Sequence, residues 1–174
     1  MITPEFREEV EKGLGAVVIF AGSGSDEAHI DKIAKGLINY KIPFEVRVFS
    51  AHKQVEEFVP VMREYDALKG PFAYGAVAGL TDVLSGLGSF ISNRPFITCS
   101  PDPINMSALN NPPGSSNVYT ARPENFARFI AQMFSYINPA YAAKLNAERI
   151  AKIESLRLDD ERLRTKYAQR EVLA

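Results

Sequence analysis

A chain of 174 residues, 46% hydrophobic and 24% charged, reads as one globular, soluble domain large enough for a core of its own. The net charge of −1 gives no electrostatic basis for binding nucleic acid or an anionic membrane, and no apolar run approaches the roughly 20 residues of a membrane span. Cys99 is the only cysteine, so an intrachain disulfide is excluded; with a charged N-terminus lacking a signal-peptide core, this predicts a cytoplasmic protein.

Residues 2–13 predict a short helix with Thr3 as N-cap and Pro4 in its first position, ended by Gly13 and Gly15. The run 16–21 is apolar on both faces, as a central parallel strand is. A helix follows over 27–40, with Ile30, Ile33, Ala34, Leu37 and Ile38 as its buried stripe. Residues 44–49 predict a second strand, and Val55, Phe58, Val59 and Met62 mark the next helix. A third strand is expected at 72–78, a glycine-containing, closely packed helix at 83–91, and a fourth strand at 95–99. The stretch 100–117, rich in Pro, Asn and Ser, predicts a long loop, functional or mobile. A short fifth strand at 118–120 precedes a helix over 123–137 that buries Phe126, Phe129, Ile130, Met133 and Phe134. The charged remainder, 139–172, predicts a long helix with a narrow seam of Leu145, Ile153, Leu156, Leu163 and Tyr167, packed on a partner subunit or left as a solvated tail.

The alternation predicts an α/β fold, a three-layer doubly wound parallel sheet, as a single domain over 1–174 with its core at about 16–137 and a helical extension at 138–174. Ligands of such sheets bind beyond the carboxyl ends of the strands. Three turns of small or polar residues, at 22–26, 50–53 and 79–82, fall on that edge and predict a site for a compact polar ligand. In Gly22-Ser23-Gly24-Ser25-Asp26 a strand gives way to a helix start, an arrangement that holds a phosphate. Ser23 and Ser25 add hydroxyl donors, while Asp26 either caps the helix or accepts from a sugar hydroxyl.

There are two histidines. His52, between Ser50 and Lys53, is placed either to move a proton near neutrality, with a reference pKa of about 6.5, or to bond backbone as a turn residue. Lys53 offers a cation to an anionic ligand or is an ordinary surface lysine. His29, in the first turn of a helix, suits an orienting role, and Cys99 reads as a small buried residue. No metal-ligand cluster, Walker loop, dinucleotide fingerprint or nucleophile elbow is present.

Gly22-Ser23-Gly24-Ser25-Asp26, Ser50-Ala51-His52-Lys53 and Ala78-Gly79-Leu80-Thr81-Asp82-Val83-Leu84-Ser85-Gly86, in this order, resemble the phosphoribosylaminoimidazole carboxylase family of purine biosynthesis over roughly residues 16–137. The family has two classes. Mutases carry S-A-H-R and a histidine in the third block and rearrange N5-carboxyaminoimidazole ribonucleotide (N5-CAIR). The second class carries S-A-H-K and carboxylates 5-aminoimidazole ribonucleotide (AIR) with CO2. Lys53, the third block without histidine, and His29 make this chain similar to the second class; the alternatives are a mutase or a relative that binds a sugar phosphate without this catalysis. The resemblance implies a flavodoxin-like fold, a homo-octamer, a small-molecule ribonucleotide and CO2 as ligands, and no metal or organic cofactor. It implies His52 as the acid/base, Ser23 and Asp26 on the ribose phosphate with Ser25 beside them, Ser50 and Lys53 on the phosphate, and Gly79 and Thr81 at the base and carboxylate end. The chain departs from the family pattern at Leu80-Thr81-Asp82, in place of Arg-Ser-Asn, and at Asn110, in place of an arginine, so two cations are missing from an anion site.

Overall fold

The computed structural model describes residues 1–102 and 104–168; the end of the last helix expected over 139–172 lies outside them. The first helix, α1 (Pro4–Glu11), starts as its sequence demands. Thr3 Oγ1 accepts the Phe6 N–H at 3.3 Å, and Pro4 gives up an N–H that the first turn leaves unpaired. Five parallel strands follow: β1 (Ala16–Ala21), β2 (Phe44–Val48), β3 (Phe72–Val77), β4 (Phe96–Thr98) and β5 (Val118–Tyr119). Their order is β2-β1-β3-β4-β5, the flavodoxin-like order. Every residue of β1 and β3 is buried, because these strands have neighbours on both edges and helices on both faces.

The remaining helices are α2 (Glu27–Tyr40), α3 (Val55–Asp66), α4 (Val83–Ile91), α5 (Met106–Leu109), α6 (Pro123–Phe134) and α7 (Pro139–Ala168). One sheet face packs Val17, Ile19 and Val77 against α2, α6 and the start of α7. The other packs Val18, Phe20 and Tyr74 against α1, α3 and α4. Phe20 meets Phe58 edge-on at 5.1 Å and stacks on Tyr74 at 5.7 Å, so aromatic rings tie this layer to the sheet. A Cβ on Gly75 in β3 would stand 2.7 Å from Phe126 Cζ, so the glycine admits the α6 ring.

The first part of α7 is docked. Tyr141 is buried and donates to the Gly15 carbonyl at 3.2 Å. Glu148 accepts from the Tyr40 hydroxyl, from Asn39 at 3.1 Å and from Arg128 at 3.2 Å. Of the expected seam only Leu145 packs on the body; Ile153, Leu156, Leu163 and Tyr167 are exposed.

Several expectations are corrected. The stretch 100–117 is not loop throughout: the short α5 lies inside it, and Asn111 and Asn117 brace it through Ser85, Thr98 and the Ala108 carbonyl. Ile38 is 65% exposed, because α2 buries the stripe Ile30, Ile33, Leu37 and Tyr40, one position round the helix. The sixth helix ends at Phe134, where the N–H groups of Ile137 and Asn138 turn back to the Phe134 carbonyl. Among the described residues no helix is long and apolar enough to cross a membrane.

Candidate active site

Backbone pairing sets the three turns side by side. Gly22 N–H donates to the Val77 carbonyl at 2.8 Å, and Phe49 N–H donates to the Ala21 carbonyl at 2.8 Å. The order of the strands reverses at β1 and β3, which opens a crevice beyond their carboxyl ends. A cavity of about 590 Å³ occupies it. Ser23, Ser25, Asp26, Ser50, His52, Lys53, Gly79 and Thr81, all chosen from sequence, line this cavity together. Its size is that of small-molecule sites.

The first turn is a single 3₁₀ turn over Gly24–Asp26 ahead of α2. Ser23 Oγ accepts the Ser25 N–H at 3.2 Å and lies 2.8 Å from Ser25 Oγ. Ser23 is therefore the cap. Asp26 makes no capping hydrogen bond, against one of the two expectations for it, and its carboxylate is left to the cavity. Burial pushes its pKa up; His29 opposes this and the Asp102 charge adds to it.

The second turn closes on itself. Lys53 and Gln54 donate backbone N–H groups to the Ser50 carbonyl at 3.0 and 2.8 Å, and Gln54 Oε1 accepts the Ser50 N–H at 3.1 Å. His52 and Lys53 stand exposed at its tip. Among the described residues no hydrogen bond holds the His52 imidazole, so the reading of a turn histidine tied to backbone does not describe it. Lys53 is the one lysine or arginine among the described lining residues.

His29 and Cys99 behave as structural groups. His29 Nε2 lies 3.1 Å from the Cys99 carbonyl, which only accepts, so this nitrogen carries the hydrogen. Burial lowers the His29 pKa and favours the neutral ring. Burial pushes the Cys99 thiol up to about 11, away from thiolate chemistry.

The third turn holds what the sequence concealed. Leu80 adopts a left-handed backbone, φ 58°, with its side chain exposed. Its N–H donates to Asp102 Oδ2 at 2.7 Å. Asn105 Nδ2 contacts Ala78 O at 3.2 Å, Ser100 Oγ at 3.3 Å and Asp102 Oδ2 at 3.4 Å, joining the ends of β3 and β4. Asp102 and Pro101 line the cavity and are absent from the sequence-derived set. Their residue types carry no signal of their own; only their place after the fourth parallel strand, at the sheet edge that carries the other three turns, points to them.

Asp82 is not a cavity anion. It is 3% exposed, and its Oδ1 caps α4 by accepting the Ser85 N–H at 2.9 Å. Asn110, the other position of a missing cation, is exposed and not among the lining residues. Among the described residues no group of three His, Cys, Asp or Glu is gathered to hold a metal ion.

The family model described as AIR carboxylase matches residues 16–155. The chain is 31% identical over 154 residues to the phosphoribosylaminoimidazole carboxylase of Treponema denticola, covering 85% of this chain and 97% of that protein. It is 35% identical over 159 residues to the multifunctional protein ADE2 of Gallus gallus, covering 88% of this chain but 37% of that longer protein. The crystal structure of Treponema denticola PurE superposes with a TM-score of 0.81 at 31% identity, covering 86% of this chain and 98% of that one.

Proposed function

The chain belongs to the AIR carboxylase family of purine biosynthesis, and we propose that it joins CO2 to C4 of AIR to give 4-carboxy-5-aminoimidazole ribonucleotide (CAIR). The observation that carries this reading is one cavity that His52 lines together with residues of the Gly22–Asp26 and Ala78–Thr81 turns. C4 of the aminoimidazole is enamine-like and attacks the carbon of CO2. A C4–C bond forms, and one C–O π pair moves onto oxygen as the new carboxylate. C4 then loses its hydrogen as a proton to His52, and the ring recovers its aromaticity. An imidazole, with a reference pKa of about 6.5, takes that proton and returns it to water near neutrality. The step as written takes no metal or organic cofactor.

Ser23, Ser25, Ser50 and Lys53 hold the ribose phosphate in this reading, with Asp26 accepting from the sugar hydroxyls and Gly79 and Thr81 at the base and carboxylate end. Lys53 directly after His52, and a 78–86 block without histidine, favour CO2 over N5-CAIR as the carbon source. The exposed distal face of α7 suits packing on a neighbouring copy in a homo-octamer, which sedimentation tests.

The test is AIR with carbon-13 bicarbonate and no ATP, beside N5-CAIR in a parallel tube, read by carbon-13 NMR of CAIR. Label entering CAIR from AIR supports the proposal. Conversion of N5-CAIR alone assigns a mutase instead. AIR binding with neither conversion assigns a non-catalytic sugar-phosphate binder.

A further inference from the structure

The loop after β4 brings a second carboxylate to the cavity, one that the reaction above does not use. Asp102 is fixed from three sides. Its backbone N–H donates to Ser100 Oγ at 3.1 Å, and its Oδ2 takes the Leu80 N–H at 2.7 Å and the Asn105 amide at 3.4 Å. Ser100 and Asn105 are themselves 1% and 2% exposed, and both bond the Ala78 carbonyl, so the carboxylate stands on a buried frame. It lies against the third turn: a Cβ on Gly79 would be 3.3 Å from Oδ1 and 3.4 Å from Oδ2. Lys53 is the one lysine or arginine among the described lining residues, while Asp26 adds a further negative charge.

We propose that Asp102 is a specificity-determining residue, whose charge beside Gly79 makes the cavity prefer the uncarboxylated nucleotide to the carboxylated one. This rests on the reading above, in which the new carboxylate forms at the Gly79–Thr81 end. AIR and CAIR share the phosphate, the ribose and the amino group and differ by that carboxylate. A fixed like charge a few ångströms away, in a cavity open to water, is worth about three- to tenfold in affinity. Product would thus be expelled by the same residue that shapes the turn.

The experiment measures dissociation constants of AIR and of CAIR by calorimetry for the wild type and Asp102→Asn, and follows the CAIR/AIR ratio. The asparagine oxygen still accepts the Leu80 N–H while the charge is removed. The expected result is a ratio lowered about three- to tenfold in Asp102→Asn, and a wild-type ratio that falls as salt is raised, because salt screens the repulsion. A residue that only held the turn would weaken both nucleotides alike and leave the ratio unmoved, and that result overturns the proposal. The salt series on wild type decides the matter if the variant does not fold: a ratio independent of salt also overturns it. If the wild type binds both nucleotides with an unmoved ratio, this inference alone falls; if it binds neither, the carboxylase reading falls and takes this inference with it.

Discussion

Asn105 is the joint between the fold and the cavity, and replacing it with Asp separates its two jobs. The side chain is 2% exposed. Its Oδ1 accepts the Ala108 N–H at 3.2 Å and so caps α5, while its Nδ2 faces the oxygens of Ala78, Ser100 and Asp102 at 3.2 to 3.4 Å. An amide has two N–H bonds, so at most two of those three contacts are full hydrogen bonds at once. Aspartate keeps the cap but turns a second oxygen toward these three acceptors. The loss of one or two buried hydrogen bonds, about 1 kcal/mol each, adds to the cost of a carboxylate among oxygens, for a total of about 2–4 kcal/mol at neutral pH. For a chain of this length that lowers Tm by about 5–15 °C.

Protonation gives the introduced carboxyl a donor again, so its folded-state pKa is raised above the unfolded value. The gap to wild type must therefore be largest above that folded pKa and must narrow as pH falls through it. Urea unfolding followed by far-UV circular dichroism, at neutral and mildly acidic pH, reads both quantities. A variant within about 0.5 kcal/mol of wild type at neutral pH, or a gap that widens on acidification, would refute the frame assigned to Asn105.

Two further outcomes follow from the same geometry. Burial, helped by Asp102, raises the Asp26 pKa, so the folded chain holds this proton more tightly than the unfolded one and stability falls as pH rises through the upper carboxylate range. Asp26→Asn should flatten that slope and raise the neutral-pH Tm by no more than about 1–2 °C, since water screens the group; melting curves across the acid range check the slope. Gly75→Ala puts a methyl 2.7 Å from Phe126 Cζ and should cost about 1–3 kcal/mol, part of it regained in Gly75→Ala with Phe126→Leu; additivity of the two changes in urea unfolding would contradict direct contact.

What the sequence made legible and what it hid have physical reasons. Strand β1 was legible because six consecutive buried residues leave no polar alternation, and α2 because its apolar residues recur at helical spacing. The three turns were legible because small residues at strand ends have few other uses in a parallel sheet. Asp102 was not, since it lies in a Pro- and Asn-rich stretch with no period, and only the pairing of β4 with β3 brings it over Gly79. The left-handed Leu80 was hidden too, because leucine is not a residue that announces that conformation. Asp82 follows a legible rule, since an Asp three residues before Ser85 at a helix start is a cap signal, and the structure uses it as that cap. The seam of α7 was legible as a pattern, but one chain offers no surface to cover its distal half.

The central claim is that the His52 imidazole moves the C4 proton, and His52→Asn tests it most directly. The turn is held by Ser50 and Gln54 rather than by His52, so the variant should keep the wild-type fold and bind AIR within about threefold of wild type. Formation of CAIR from AIR and bicarbonate should fall by about 10²–10⁴-fold, the usual worth of a positioned acid/base group. A folded His52→Asn protein that carboxylates AIR at close to the wild-type rate would contradict the mechanism.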